Sequence, residues 1–151
     1  MSDLFEEKVW QPALEVVNIY EDYEIFRKSF AGVPPNIGRA YAASFIGAEI
    51  CNGGFSQLFY NSTGILVPEG IEGMRLLGMR QTADVVQKAV DQLGEPYPRE
   101  REDRITRLEQ LEKLQGKKTW WPFESEFYKL INAENGGFQK AAEKFAATVE
   151  R

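Results

Sequence analysis

The sequence predicts an all-α protein, a single compact domain of about seven to nine helices around a buried central one. Three observations lead there. Apolar residues recur at helical spacing along the chain, and no alternating strand pattern lasts long enough to compete. Gly and Pro punctuate the periodic segments in the way that ends and restarts helices. One segment, Ile37 to Cys51 (IGRAYAASFIGAEIC), is apolar almost all the way round, as a helix enclosed on most sides must be. At 151 residues, 43% of them apolar and 13% aromatic, the chain is long enough to bury one core, and 1–151 reads as one domain.

The elements follow in order. A first helix is predicted from Pro12 to Phe30, with Ala13, Val16, Val17, Tyr20, Tyr23 and Phe30 near one face; it stops at Gly32, Pro34 and Pro35. Asn36 then caps the central helix, which closes at Asn52-Gly53. A short helix near Phe55 to Tyr60 and a turn at Asn61 to Gly64 lead into a helix from Pro68 to about Gly78. Arg80 to Leu93 forms the next, with Val86, Ala89, Val90 and Leu93 on one face and Gly94 as its stop.

Beyond the GEPYP link, Arg99 to Gln115 is heavily charged. Its acid-to-base pairs at i,i+4 (Glu100 with Arg104, Asp103 with Arg107, Glu109 with Lys113) contribute about 0.2–0.5 kcal/mol each and support an exposed helix. Ile105, Leu108, Leu111 and Leu114 supply its buried stripe. Phe123, Phe127, Leu130 and Ile131 mark a further helix, and Phe138, Ala141, Ala142, Phe145, Ala146 and Val149 a last one. Between these two lies a second NGGF, Asn135 to Phe138; its likeness to Asn52 to Phe55 ends after four residues, so it reads as shared turn chemistry rather than duplication.

Composition narrows the chemistry. The chain has no histidine, which excludes Ser-His-Asp and Cys-His nucleophiles, histidine bases and histidine metal ligands together. No DxDxDG calcium loop and no Cys/His zinc spacing occurs, so no metal and no cofactor is expected. The single Cys51 excludes an intrachain disulfide and is expected to be a small buried apolar residue rather than a nucleophile. The start of the chain lacks the apolar run of a secretory signal, and no segment is long enough to span a bilayer, so the expected setting is the cytoplasm without membrane.

The net charge of -5 is unevenly placed. Residues 1–26 hold seven acids (Asp3, Glu6, Glu7, Glu15, Glu21, Asp22, Glu24) against Lys8 alone, a net of -6, and the remainder is balanced. A nucleic-acid binder needs a basic stripe that this chain lacks, so direct nucleic-acid binding is not expected. Glu15 and the Glu21-Asp22-x-Glu24 cluster are the candidate acidic contacts for a partner.

The stretch EICNGGFSQLFYNSTG, residues 49–64, concentrates polar side chains and glycines in apolar surroundings. Asn-Gly after a helix supplies a cap and a left-handed position, and the next Phe returns to the core. A Gly-Gly loop leading into a helix also offers N–H groups to an anion, but the GxGxxG and GxxxxGK[ST] frames are missing. Glu49, a carboxylate in an apolar helix, needs donors. The N–H groups of Gly53 to Phe55 and the side chains of Gln57 and Asn61 are nearest. It is expected to brace the loop; the alternative is a polar pocket formed by Glu49, Asn52, Gln57 and Asn61 that receives a ligand.

The run Glu49-x-x-Asn52-Gly53-Gly54-Phe55-x-Gln57-x-Phe59-x-Asn61-Ser62-x-Gly64, with Glu126-Phe127-Tyr128 later, resembles a bacterial family of domains of unknown function whose best-known member is a DNA-mimic protein. The resemblance covers about residues 37–130. It implies an all-helical fold and, for the mimic, an acidic surface that occupies the DNA-binding face of a transcriptional regulator. The expectation is therefore a non-enzymatic protein-binding or regulatory module, a DNA mimic whose partner is a basic DNA-binding regulator. An immunity or antitoxin-type protein and a small enzyme or ligand-binding protein built on the Glu49 cluster are the alternatives. A dimer is compatible with the sequence, which does not fix the oligomeric state.

Overall fold

A computed structural model describes residues 3–150, and among them every regular element is helical. α1 (Asp3–Phe5), a π-helical turn (Glu6–Trp10) and α2 (Gln11–Val16) run on from one another, and α3 (Tyr23–Phe30) follows a break. α4 (Pro35–Tyr60) is the axis of the molecule. A 3-10 turn (Ser62–Leu66), α5 (Val67–Leu76) and α6 (Arg80–Asp91) come next. α7 (Arg101–Gln115), a second 3-10 turn (Lys117–Trp120), α8 (Trp121–Ile131), a third (Glu134–Gly136) and α9 (Phe138–Thr148) complete the chain. The all-α expectation holds, and α4 is the central helix that the apolar run predicts.

α4 contributes Ala40, Tyr41, Ala42, Ala43, Ile46, Ile50, Phe55, Leu58 and Phe59 to the core. α5 lies against it closely because Gly73 and Gly70 carry no side chain: a Cβ on Gly73 would meet the Arg39 carbonyl oxygen at 1.9 Å. The N-terminal run packs across the start of α4, with the Trp10 ring 4.8 Å from Tyr41 and 5.3 Å from Phe45. It is tied to the end of the chain as well, since the Lys8 ammonium donates to the Val149 carbonyl at 2.9 Å.

The structure corrects several boundaries. The helix predicted over Pro12 to Phe30 is two helices, because Val17 is extended and Asn18 turns the chain by accepting from the Tyr20 N–H. Asp22 then caps α3 through the Ile25 N–H at 2.9 Å. Tyr20 and Val16, expected on a buried face, are exposed on and beside this break. Asn36 is no cap: α4 begins one residue earlier on Pro35, whose fixed φ suits a first helical position, and Asn36 accepts from Arg39 inside the first turn. The expected stop at Asn52-Gly53 and the short helix from Phe55 to Tyr60 are borne out, since the backbone leaves helical geometry at Gly54. The left-handed position is Gly54 rather than Gly53, and it kinks α4 into the two expected segments.

In α7, none of the three expected i,i+4 ion pairs is among the salt bridges of the described residues. Glu100 instead accepts from the Tyr23 N–H, and Arg107 donates to the carbonyls of Leu93 and Pro96. Leu114, expected in the buried stripe, is 82% exposed, since α7 outruns the core before its last turn. Arg104 takes the opposite course and is fully buried.

Candidate functional site

The motif residues form a joint in the middle of α4. Gly54 adopts φ 77° and ψ -174°, a conformation open to glycine at little cost, and this single residue kinks the helix. A Cβ there would also lie 2.2 Å from the Glu124 carboxylate. Glu124, from α8, uses that space to accept the Phe55 N–H at 2.9 Å, satisfying a donor that the kink frees at the restart of the helix. Phe55 and Phe59 then return to the core, packing on Trp120 with ring centroids 6.2 and 5.2 Å away, and Phe55 meets Phe127 edge-on.

Glu49 braces this joint through side chains alone. Its Oε1 accepts from Asn61 Nδ2 at 2.8 Å and from the Thr63 hydroxyl at 3.1 Å, and its Oε2 accepts from Gln57 Nε2 at 3.1 Å. Gln57 and Asn61 are the donors that the sequence proposes. The expected backbone donors at Gly53 to Phe55 are not used, because the one at Phe55 belongs to Glu124. Asn52 is exposed and stands outside this set of hydrogen bonds, while Ser62 opens the 3-10 turn. Glu49 and Asn52 line one shallow depression with Phe45, Ala48 and Cys51, whereas Gln57 and Asn61 line another beside Tyr60 and Glu109.

Cys51 is exposed, not buried as expected. Ala48, Cys51 and Asn52, at i, i+3 and i+4, form a stripe of α4 that faces solvent. Partial burial still raises the thiol above its usual pKa, the opposite of what activates a nucleophile.

The end of the motif is held by residues that the sequence reading assigned to an exposed helix. The Arg104 guanidinium lies against the C-terminal end of α4 and donates to the carbonyls of Phe59 (2.8 Å), Asn61 (2.9 Å), Arg99 (3.0 Å) and Pro98 (3.3 Å). Burial lowers its pKa, and the carbonyls at the negative end of the helix dipole compensate the charge. Gly64 completes the fit, since a Cβ there would stand 2.4 Å from Arg104 Nε. Tyr97 donates its hydroxyl to the Gly64 carbonyl at 2.7 Å, and Arg101 donates to the Tyr60 carbonyl. Arg99 reaches the Ile65 carbonyl and closes a bidentate pair with Glu69.

The second NGGF serves a different corner. Asn135, at φ 53°, donates to the Leu77 carbonyl at the end of α5, while Glu134 accepts from the N–H groups of Gln81 and Thr82 at the start of α6. The two copies share only their second glycine, Gly54 and Gly137, each at positive φ before a Phe that starts a helix; Asn52 and Gly53 lie within α4, whereas Asn135 and Gly136 are left-handed.

The candidate acidic residues all lie on the surface. Glu15 accepts from Gln11 at 3.3 Å, Asp22 caps α3, and Glu24 pairs with Arg27, whose hydrogen bond holds the carboxyl below its usual pKa. Glu21 is exposed on the turn before Asp22. The base of this region, Lys8, is turned inward to the carbonyls of Ala146 and Val149.

Fold and motif together define an all-α domain whose NGGF stretch is a braced helix joint. Residues 31–149 match the family of DMP19-like proteins, and the chain belongs to that family. No curated protein and no solved structure matches it. Among the described residues no helix is long and apolar enough to cross a membrane, and no group of three or more acids or cysteines is placed to hold a metal ion.

Proposed function

We propose that this protein is a non-enzymatic binding module that presents the acidic surface of its N-terminal region to a basic, DNA-binding protein partner, acting as a DNA mimic. The observation that carries the reading is the isolation of negative charge. Residues 1–26 have a net charge of -6, and their one base is withdrawn from the surface to the end of α9. Glu15, Glu21, Asp22 and Glu24 stay exposed. Arg27 pairs with Glu24, and the remaining acidic excess speeds encounter with a basic partner and repels nucleic acid and other acidic surfaces. The Glu49 cluster supports a ligand site less well, because both oxygens of its carboxylate are already occupied by three donors.

The test is a capture experiment with immobilised protein, duplex DNA serving as competitor. A DNA-binding protein is expected to be retained at low salt, to be displaced by the duplex, and to lose about tenfold or more in affinity between about 50 and about 200 mM salt. The variant carrying Glu15→Gln, Glu21→Gln, Asp22→Asn and Glu24→Gln should fail to capture it. Asn is as good a helix cap as Asp, so α3 keeps its start. Capture that ignores salt, or survives the four substitutions, sinks the proposal.

A further inference from the structure

Nine residues at the turn from α7 into α8, Lys113 to Trp121, form a basic and apolar corner that none of the described residues covers. Lys113, Lys117 and Lys118 are exposed, and no acid occurs between Lys113 and Phe123. None of the three lysines takes part in a salt bridge among the described residues. Leu114 and Trp121 are 82% and 65% exposed, which with Tyr20 makes them the three most exposed large apolar side chains described. The corner is firmly built. Gly116, at φ 77°, turns the chain, Thr119 donates to the Gln115 side chain at 2.9 Å, and Trp120 is buried with its indole N–H on Glu112 at 2.9 Å. Anchoring Trp120 inward turns Trp121 outward.

We propose that this corner docks the protein reversibly on an anionic bilayer surface. Lys117 borders the depression that Glu109 and Glu112 also line, but Leu114 and Trp121 protrude, so the apolar part of the corner suits a soft, flat surface better than a peptide, which needs a concave site. Tryptophan settles at the headgroup level of a bilayer, and lysines beside it supply attraction to anionic lipid. Each lysine near such a surface strengthens partitioning about fivefold, so three bring about a hundredfold. The acidic region does not oppose this. Tyr23, which follows Glu21 and Asp22, touches Glu100 and Arg99 at the other end of α7. A 15-residue helix places those acids about 20 Å from the corner, beyond the roughly 8 Å Debye length at physiological salt. The proposal is independent of the partner reading above, since it uses the opposite end of the molecule.

Vesicles of phosphatidylcholine, with and without about one third phosphatidylglycerol, test it by co-sedimentation and tryptophan fluorescence. Binding is expected at low salt to the anionic vesicles only, with a blue shift that Trp121→Phe abolishes, because Trp120 is already buried and Trp10 is packed on Tyr41. Lys117→Gln with Lys118→Gln should weaken sedimentation at least tenfold, whereas Lys140→Gln with Lys144→Gln, the same charge change on α9, should leave it intact. No binding to the anionic vesicles overturns the proposal, as does binding that the corner substitutions leave unchanged. A Trp121 shift produced by an acidic peptide but not by vesicles also overturns it and assigns the corner to a protein.

Discussion

At Gly54 and Glu49 the motif's chemistry comes down to single atoms. Gly54 combines a left-handed φ with a Cβ position already occupied by the Glu124 carboxylate, so Gly54→Ala meets backbone strain and a displaced cap together. The expected cost is about 2–3 kcal/mol in a urea titration, and an unchanged midpoint would show that the kink relaxes freely. Glu49 accepts three side-chain hydrogen bonds from a half-buried position. Glu49→Ala should therefore lower stability by about 2 kcal/mol, and Glu49→Gln by less, since the amide keeps one acceptor but sets an NH2 against a donor. Equal melting curves for wild type and Glu49→Ala would remove the brace. The sequence makes Glu49, Gln57 and Asn61 legible as a set because a carboxylate in an apolar helix demands donors. Thr63 joins the set only because the 3-10 turn after α4 carries its hydroxyl back to Glu49, and Glu124 is far away in sequence. Glu124 gave one signal, its place on the helical face of Phe127 and Ile131.

α7 shows how an element is misread when charge patterning and burial compete. Spacing of acids and bases at i,i+4 describes a solvated helix, and most of α7 is one. Yet Arg104 shares a face with Leu108 and Leu111, and that register was the clue that its side chain points inward. What the sequence could not supply is the reason, which lies about forty residues earlier: α4 ends with the carbonyls of Phe59 and Asn61, of which Asn61 accepts the Gly64 N–H while both are reached by the Arg104 guanidinium. Arg104→Lys keeps the charge but loses the planar fork that reaches four carbonyls, so it should cost about 2–4 kcal/mol. Arg104→Met, which fills the space and leaves the carbonyls bare, should be at least as damaging. If Met proves neutral in chemical denaturation, the guanidinium is not what holds the end of α4. Similar reasoning accounts for the N-terminal helix read as one and found as two. Asn18 and Asp22 are turn and cap residues, but the helical spacing of Ala13, Val16, Val17, Tyr20 and Tyr23 carries across the break and hides it.

Over the whole molecule, the absence of histidine and the burial of tyrosine shape how stability depends on pH. No side chain has an ordinary pKa between those of the carboxylates and the thiol, so stability should be nearly constant from about pH 6 to 8. Above that range the sign is fixed by Tyr41 and Tyr97. Burial pushes the Tyr41 phenol up to about 12, and burial raises that of Tyr97 further still. Both folded values exceed the unfolded value of about 10, so the folded state holds protons that the unfolded chain releases. Their contribution is complete below about pH 10 and is lost as pH rises through the folded values. The Cys51 thiol, raised by burial, acts in the same direction. Urea midpoints should therefore be level between about pH 7 and 8 and fall through about pH 10 and 11. Tyr97→Phe should lower the plateau by about 1 kcal/mol, the worth of its hydrogen bond to the Gly64 carbonyl, and flatten the alkaline decline. A decline of equal steepness in that variant would mean that Tyr97 ionises outside the core, and that the carbonyl cluster at the end of α4 opens to water before the protein unfolds.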